Sequence, residues 1–130
     1  MTSKAHVRHG FGTVRPYLYG AYELPSFLVE VFGAQEIERH ESEDRRAAHV
    51  ELVIGDSALV VEAGELPPGH EPTLASVYIY VEDVDAVYRR ALEAGAEAIA
   101  APEDKPYGER GCGFAAYGNT WWVATLLGAG

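Results

Sequence analysis

The sequence predicts an α+β fold made of two β-α-β-β-β repeats in one domain, and three observations carry that prediction. Apolar stripes at helical spacing occur twice, sixty positions apart: Leu24, Phe27, Leu28, Val31 and Phe32, then Val84, Val87, Tyr88, Ala91 and Leu92. An alternating aromatic strand precedes each stripe, "RPYLYG" and then "SVYIYV". A turn-nucleated strand closes each half, "IGDSALVVE" and "YGNTWWVAT". Agreement of strand, helix and hairpin in one order identifies an internal duplication.

The elements follow in order. Tyr17 and Tyr19 alternate with Pro16 and Leu18 on the first strand. Pro25 suits the first turn of the first helix, and Gly33 suits its stop. Residues 46–54 read as the third strand, turning at Gly55 and Asp56 into the fourth. The Gly- and Pro-rich "GELPPGHEPT" is a link. Repeat one therefore spans about 12–63, the link 64–73 and repeat two about 74–127. In the second repeat Val77, Ile79 and Val81 form an aliphatic face fit to pack on a helix that Asp83 caps and Gly95 ends. Residues 110–117 supply the penultimate strand.

Composition narrows the function classes. The chain has 130 residues, 48% of them hydrophobic, enough to bury a core without disulfides or metals. Ten basic and twenty acidic side chains give 10 − 20 = −10, which opposes phosphate binding, so no nucleic-acid partner is expected. Cys112 is the single cysteine, so no internal disulfide forms and a reducing cytoplasm is the expected compartment. No apolar run suits a signal peptide or a membrane span, so no membrane partner is expected either.

With "VEDVDAVYRRALEAGAEAI" opening the second repeat and "YGERGCGFAAYGNTWWVATL" closing it, the chain resembles the vicinal oxygen chelate superfamily over roughly residues 12–127. That superfamily groups glyoxalase I, extradiol dioxygenases, fosfomycin-modifying enzymes and bleomycin-binding resistance proteins; the PhnB-like branch is the nearest in pattern. The resemblance implies a curved mixed sheet with helices on its convex face. It also implies a divalent metal on the concave side of the enzymes, held by one side chain from the first and last strand of each repeat. Those positions here are Pro16, Leu59 or Val60, Ser76, and Trp121 or Trp122. None is a usual ligand for zinc, manganese or iron, so no metal cofactor is expected at this place.

A shifted site is the alternative. A two-residue turn at Gly55 and Asp56 sets His49 opposite Glu62 and Glu51 opposite Val60, leaving His49, Glu51 and Glu62 on one face. Such a trio is either a cross-strand His–Glu pair that satisfies itself or an acid/base or cation site, with His49 and Glu62 as candidate catalytic or metal-ligating residues. Cys112 reads as a small strand residue, and His6, His9, His40 and His70 are given no role.

Aromatic residues point to a ligand groove. Tyr78, Tyr80, Phe114 and one tryptophan are expected to line it, with Arg110 at the rim and His49 and Glu51 nearby. Each ring buries about 150–250 Å² when covered, worth roughly 4–6 kcal/mol at about 25 cal/mol per Å². A second subunit, a ligand or both should therefore close the groove, and a homodimer is expected. The superfamily pattern puts Trp122 inside, whereas a gap-free match of the two repeats puts Trp121 there beside Phe114. We favour Trp122. The resemblance then implies a binding protein that sequesters a planar or cationic small molecule, such as a drug. The alternatives are an enzyme, either a metal-dependent lyase or dioxygenase or a metal-free isomerase using His49, and an interaction domain whose own side chains fill the groove.

Overall fold

A computed structural model describes residues 5–128. After a single 3-10 turn at Arg8–Gly10, the chain forms β1 (Tyr17–Gly20), α1 (Leu24–Phe32), β2 (Gln35–Glu41), β3 (Ala47–Ile54) and β4 (Ser57–Gly64). The order then repeats as β5 (Ala75–Tyr80), α2 (Val84–Glu93), β6 (Glu97–Asp104), β7 (Glu109–Ala116) and β8 (Asn119–Leu126). Each half is a four-stranded mixed sheet, ordered β1-β4-β3-β2 and β5-β8-β7-β6. The first and last strands of each half run parallel, and the other pairs run antiparallel.

Local chemistry sets the helix ends. Pro25 lies in the first turn of α1, and Gly33 ends it in the left-handed region at φ 69°, its N–H returning to the Val29 carbonyl while the Ala34 N–H bonds that of Leu28. The side chain of Asp83 accepts the Ala86 N–H at 3.1 Å and caps α2. Neither helix, nor any other among the described residues, is long and apolar enough to cross a membrane.

One core joins the halves. Leu24, Leu28 and Val31 of α1 are buried with Val50, Leu52, Leu59 and Val61, while Val84, Val87 and Ala91 of α2 are buried with Cys112, Phe114 and Val123. Phe32 lies 6.1 Å from the ring of Phe114 and 5.8 Å from that of Trp121, so α1 reaches across to the second sheet. Arg90 of α2 donates to the Val31 carbonyl at 3.0 Å, and Asn119 at the start of β8 donates to the Tyr19 carbonyl of β1 at 2.8 Å. Gly20 is required at this seam, because a Cβ there would stand 2.7 Å from the Tyr117 carbonyl oxygen. A cleft of about 740 Å³ opens further along the seam, lined by helix-side residues such as Phe32, Leu59, Val77 and Val87 together with the edge of β5.

Candidate functional site

Two hairpins decide which side chains leave the core. In the first, Ile54 pairs with Ser57 around Gly55 and Asp56; in the second, Ala116 pairs with Asn119 around Tyr117 and Gly118. Both residues of the second turn have positive φ, 50° and 90°, as a two-residue hairpin of this hand requires. The glycine is thus first in one turn and second in the other. A gap-free match of the repeats is wrong by one residue, and one residue flips every side chain to the other face. Trp122 corresponds to Val60, and Trp121 to the core residue Leu59.

The tryptophans separate accordingly. Trp121 is fully buried against Phe32 and opposite Phe114, and its indole Nε1–H donates to the Ala116 carbonyl at 3.4 Å. Trp122 is 36% exposed on the helix-free face, paired with Tyr78 on one side and Gly113 on the other. Tyr80 follows on the same face, paired with Ala124, which is itself opposite Gly111. Tyr78 and Tyr80 are 52% and 63% exposed, with ring centroids 5.5 Å apart. The two phenols donate to different oxygens of Glu109, at 2.5 Å each.

Three expectations for the groove are corrected. Phe114 does not line it: this ring has no exposed surface and sits under the helices, because Gly113 rather than Phe114 pairs with Trp122. Arg110 is not at its rim: on the parity of Phe114 and Cys112, Arg110 reaches the helix side, where its guanidinium binds Asp85 of α2 at 2.8 and 3.0 Å and Asp104 at 3.0 Å. Trp121 leaves the groove for the same reason. The residue the sequence reading missed is Glu109, one position from Arg110. Its signal was the alternation of Glu109, Gly111 and Gly113, which shares a face with Trp122 once that register is chosen.

On the first sheet His49 pairs with Glu62, and Glu51 with Val60, as the two-residue turn predicts. His49 Nδ1 is hydrogen bonded to Glu62 Oε1, and its Nε2 lies 3.2 Å from Glu51 Oε2. An ionised carboxylate only accepts, so this clamp suits an imidazole with a proton on each nitrogen. Burial works against the charged ring, but the hydrogen bonds to Glu62 and Glu51 outweigh it and hold the pKa above its ordinary value. Tyr17 donates to Glu62 at 3.2 Å.

The chain before β1 straps this face, a feature that sequence reasoning left without a role. Arg15 donates to Glu51 at 2.6 Å and to the carbonyls of Gly12 and Phe11 at 3.0 Å each. Arg8, His9 and His40 converge on Glu38, with 2.6 Å from Arg8 Nε, 3.0 Å from His9 and 2.6 Å from His40. Those contacts hold the Glu38 carboxyl at about 2. Gly12 rests on Ala58, where a Cβ would stand only 2.9 Å from that methyl. His70 accompanies Tyr19, its Nδ1 3.1 Å from the phenol oxygen.

Residues 24–123 match the family model of the Glyoxalase/Bleomycin resistance protein/Dioxygenase superfamily. The chain belongs to this superfamily. Among solved structures of similar fold, TioX from Micromonospora sp. ML1 is 26% identical at a TM-score of 0.68, with 88% of this chain and 99% of that one covered. TnmS3, an antibiotic binding protein from Streptomyces sp. CB03234, is 19% identical at a TM-score of 0.63, over 88% and 96%. A fosfomycin resistance protein, FosX of Listeria monocytogenes, is 17% identical at 0.62, over 88% and 93%. An uncharacterized protein of Mycobacterium bovis is 30% identical over 93 residues, which are 65% of this chain and 61% of that relative. Two curated relatives from Mycobacterium tuberculosis match over 55% of their length, so the similarity spans little more than half of these larger proteins.

The resemblance to metal-holding members of the superfamily implies one ligand from the first and last strand of each repeat. The register puts Tyr17 beside Val60 and Tyr78 beside Trp122 at those strands, with Pro16 just before β1 and Ser76 two residues before Tyr78. None of these side chains offers the imidazole, thiolate or carboxylate that such metals favour, and Glu62, the carboxylate two residues from Val60 on the same face of β4, is engaged by His49. Among the described residues, no group of three or more His, Cys, Asp or Glu is disposed to hold one elsewhere.

Proposed function

We propose that this superfamily member binds a planar or cationic small molecule without a metal and withholds it rather than converting it, as a drug-sequestering protein does. The observation that carries the reading is Trp122 with Tyr78 and Tyr80, three exposed aromatic side chains on the face where metal-holding relatives place their ligands. Stacking on rings of this size, in a site with few fixed polar groups, is how apolar small-molecule sites gain affinity. The antibiotic-binding description of TnmS3, a protein of the same fold, supports the reading. Exposed Leu126 and Tyr107 extend the apolar surface around the groove, which supports a homodimer that closes the groove on its ligand.

An enzymatic reading would use His49 as a base. The geometry favours it less, because both ring nitrogens already face carboxylates, Glu62 and Glu51. Elemental analysis of protein purified without chelator or metal-affinity tag, run beside fluorescence titration with a panel of planar drugs, tests the choice. Saturable quenching without stoichiometric metal is the expected result. Stoichiometric metal lost in His49→Ala would overturn the binding reading.

A further inference from the structure

Glu109 differs from the other hydrogen-bonded glutamates of the sheet faces. Glu38, Glu51 and Glu62 each meet an Arg or a His, whereas Glu109 is held by two phenols and belongs to none of the ion pairs among the described residues. Nearby Lys105 turns instead to Glu103, at 3.2 Å. Resting on the binding reading above, we propose that Glu109 is the recognition point for a protonated amine or guanidinium carried by a planar ligand, with the aromatic body lying on Trp122.

The arrangement has the parts of a cation site. Tyr78 and Tyr80 meet at 62° and form two adjoining aromatic walls, whose electron-rich faces attract a cation within about 6 Å. Their hydroxyls fix one carboxylate oxygen each, leaving the remaining lone pairs of Glu109 for a ligand N–H donor. The same hydrogen bonds lower the pKa of Glu109 and raise those of both tyrosines, so carboxylate and phenols keep their forms at neutral pH. The indole of Trp122 lies over Gly113, and the small residues Gly111 and Ala124 pair with one another between that ring and Glu109. Four strand steps lead from Glu109 to Gly113, the pairing partner of Trp122, roughly 13 Å at about 3.3 Å per step, a span suited to a fused aromatic system with an amino substituent. A cleft of about 580 Å³ adjoins Glu109, with Tyr80, Glu82, Thr125 and Leu126 in its lining. The net charge of −10 also draws cations toward the surface.

Two matched probes test the proposal: 9-aminoacridine, a planar monocation at neutral pH, and acridine, its largely neutral parent. Fluorescence titrations would compare the full chain with Glu109→Gln, Trp122→Ala and, as a remote charge control on α2, Glu93→Gln. The expected result is that the cation binds at least tenfold more tightly than acridine. Glu109→Gln should reduce that ratio to within about twofold while acridine binding persists, and Glu93→Gln should leave it unchanged. Equal binding of both probes, or equal losses in Glu109→Gln and Glu93→Gln, would overturn the cation site while the aromatic binding face stands. Binding of neither probe, or binding indifferent to Trp122→Ala, would instead remove the reading on which the site rests. Sedimentation of Glu109→Gln adds a further check, since dissociation of a dimer in that variant would assign Glu109 to an interface and overturn the proposal.

Discussion

Gly113 lies directly beneath the indole of Trp122: a Cβ added there would stand 2.3 Å from Cζ3 and 2.5 Å from Cε3 of that ring. The glycine is what lets the tryptophan lie flat on the sheet. Gly113→Ala should lift or swing the indole, cost about 1–3 kcal/mol as overpacking does, and weaken binding of planar ligands. Urea denaturation beside a ligand titration checks both effects.

The two tryptophans should respond differently to truncation. Trp121→Ala empties a fully buried core site and should cost about 3–5 kcal/mol. Trp122→Ala should cost less, about 1–2 kcal/mol for the covered part of the ring, and abolish most ligand-induced quenching. Comparable destabilisation by both variants would contradict the assignment of faces.

The Arg15 to Glu51 pair joins the strap to β3 with only 14% and 7% of the side chains exposed. Arg15→Met removes the shortest charged hydrogen bond to the mostly buried Glu51 and leaves it with His49 at 3.2 Å, so it should cost about 2 kcal/mol. The double variant Arg15→Met with Glu51→Gln should recover most of that loss. Equilibrium unfolding of the wild type, Arg15→Met, Glu51→Gln and the double variant measures the coupling.

Stability should depend on pH in two windows. His49 has a folded pKa raised above 6.5, so its contribution is complete below that value and is lost as pH rises through the folded pKa. Glu38 is lowered from 4.5 to about 2, so its contribution is present above 4.5 and fades as pH falls toward 2. These two groups therefore favour the fold most between about 4.5 and 6.5. Replacing His49 with Gln should flatten the alkaline decline in a pH series of unfolding curves, leaving the acid limb in place.

Cys112 is buried on β7, and desolvation with the nearby charge of Asp85 pushes its thiol up to about 11. The reactive form is the thiolate. A disulfide reagent at pH 8 should leave native protein unmodified over hours and label it promptly in denaturant. Rapid native labelling would mean that β7 opens locally.

The sequence by itself determined the elements and their duplication, because helical and strand periodicities, Asp83, Pro25 and Gly33 act within a few residues of themselves. It also placed His49 against Glu62, since a short hairpin fixes the pairing of its own arms. The faces of the second sheet were beyond it. Trp122 and Phe114 were expected in one groove together with Arg110, yet that combination violates strand alternation, and only the Ala116 to Asn119 closure settles which set turns outward. The strap on Glu38 and Glu51, the reach of Phe32 to Trp121, and the clasp of Tyr78 and Tyr80 on Glu109 join residues about thirty positions or more apart. No local propensity encodes such contacts. They exist because one buried face and one register satisfy both halves of the chain at once.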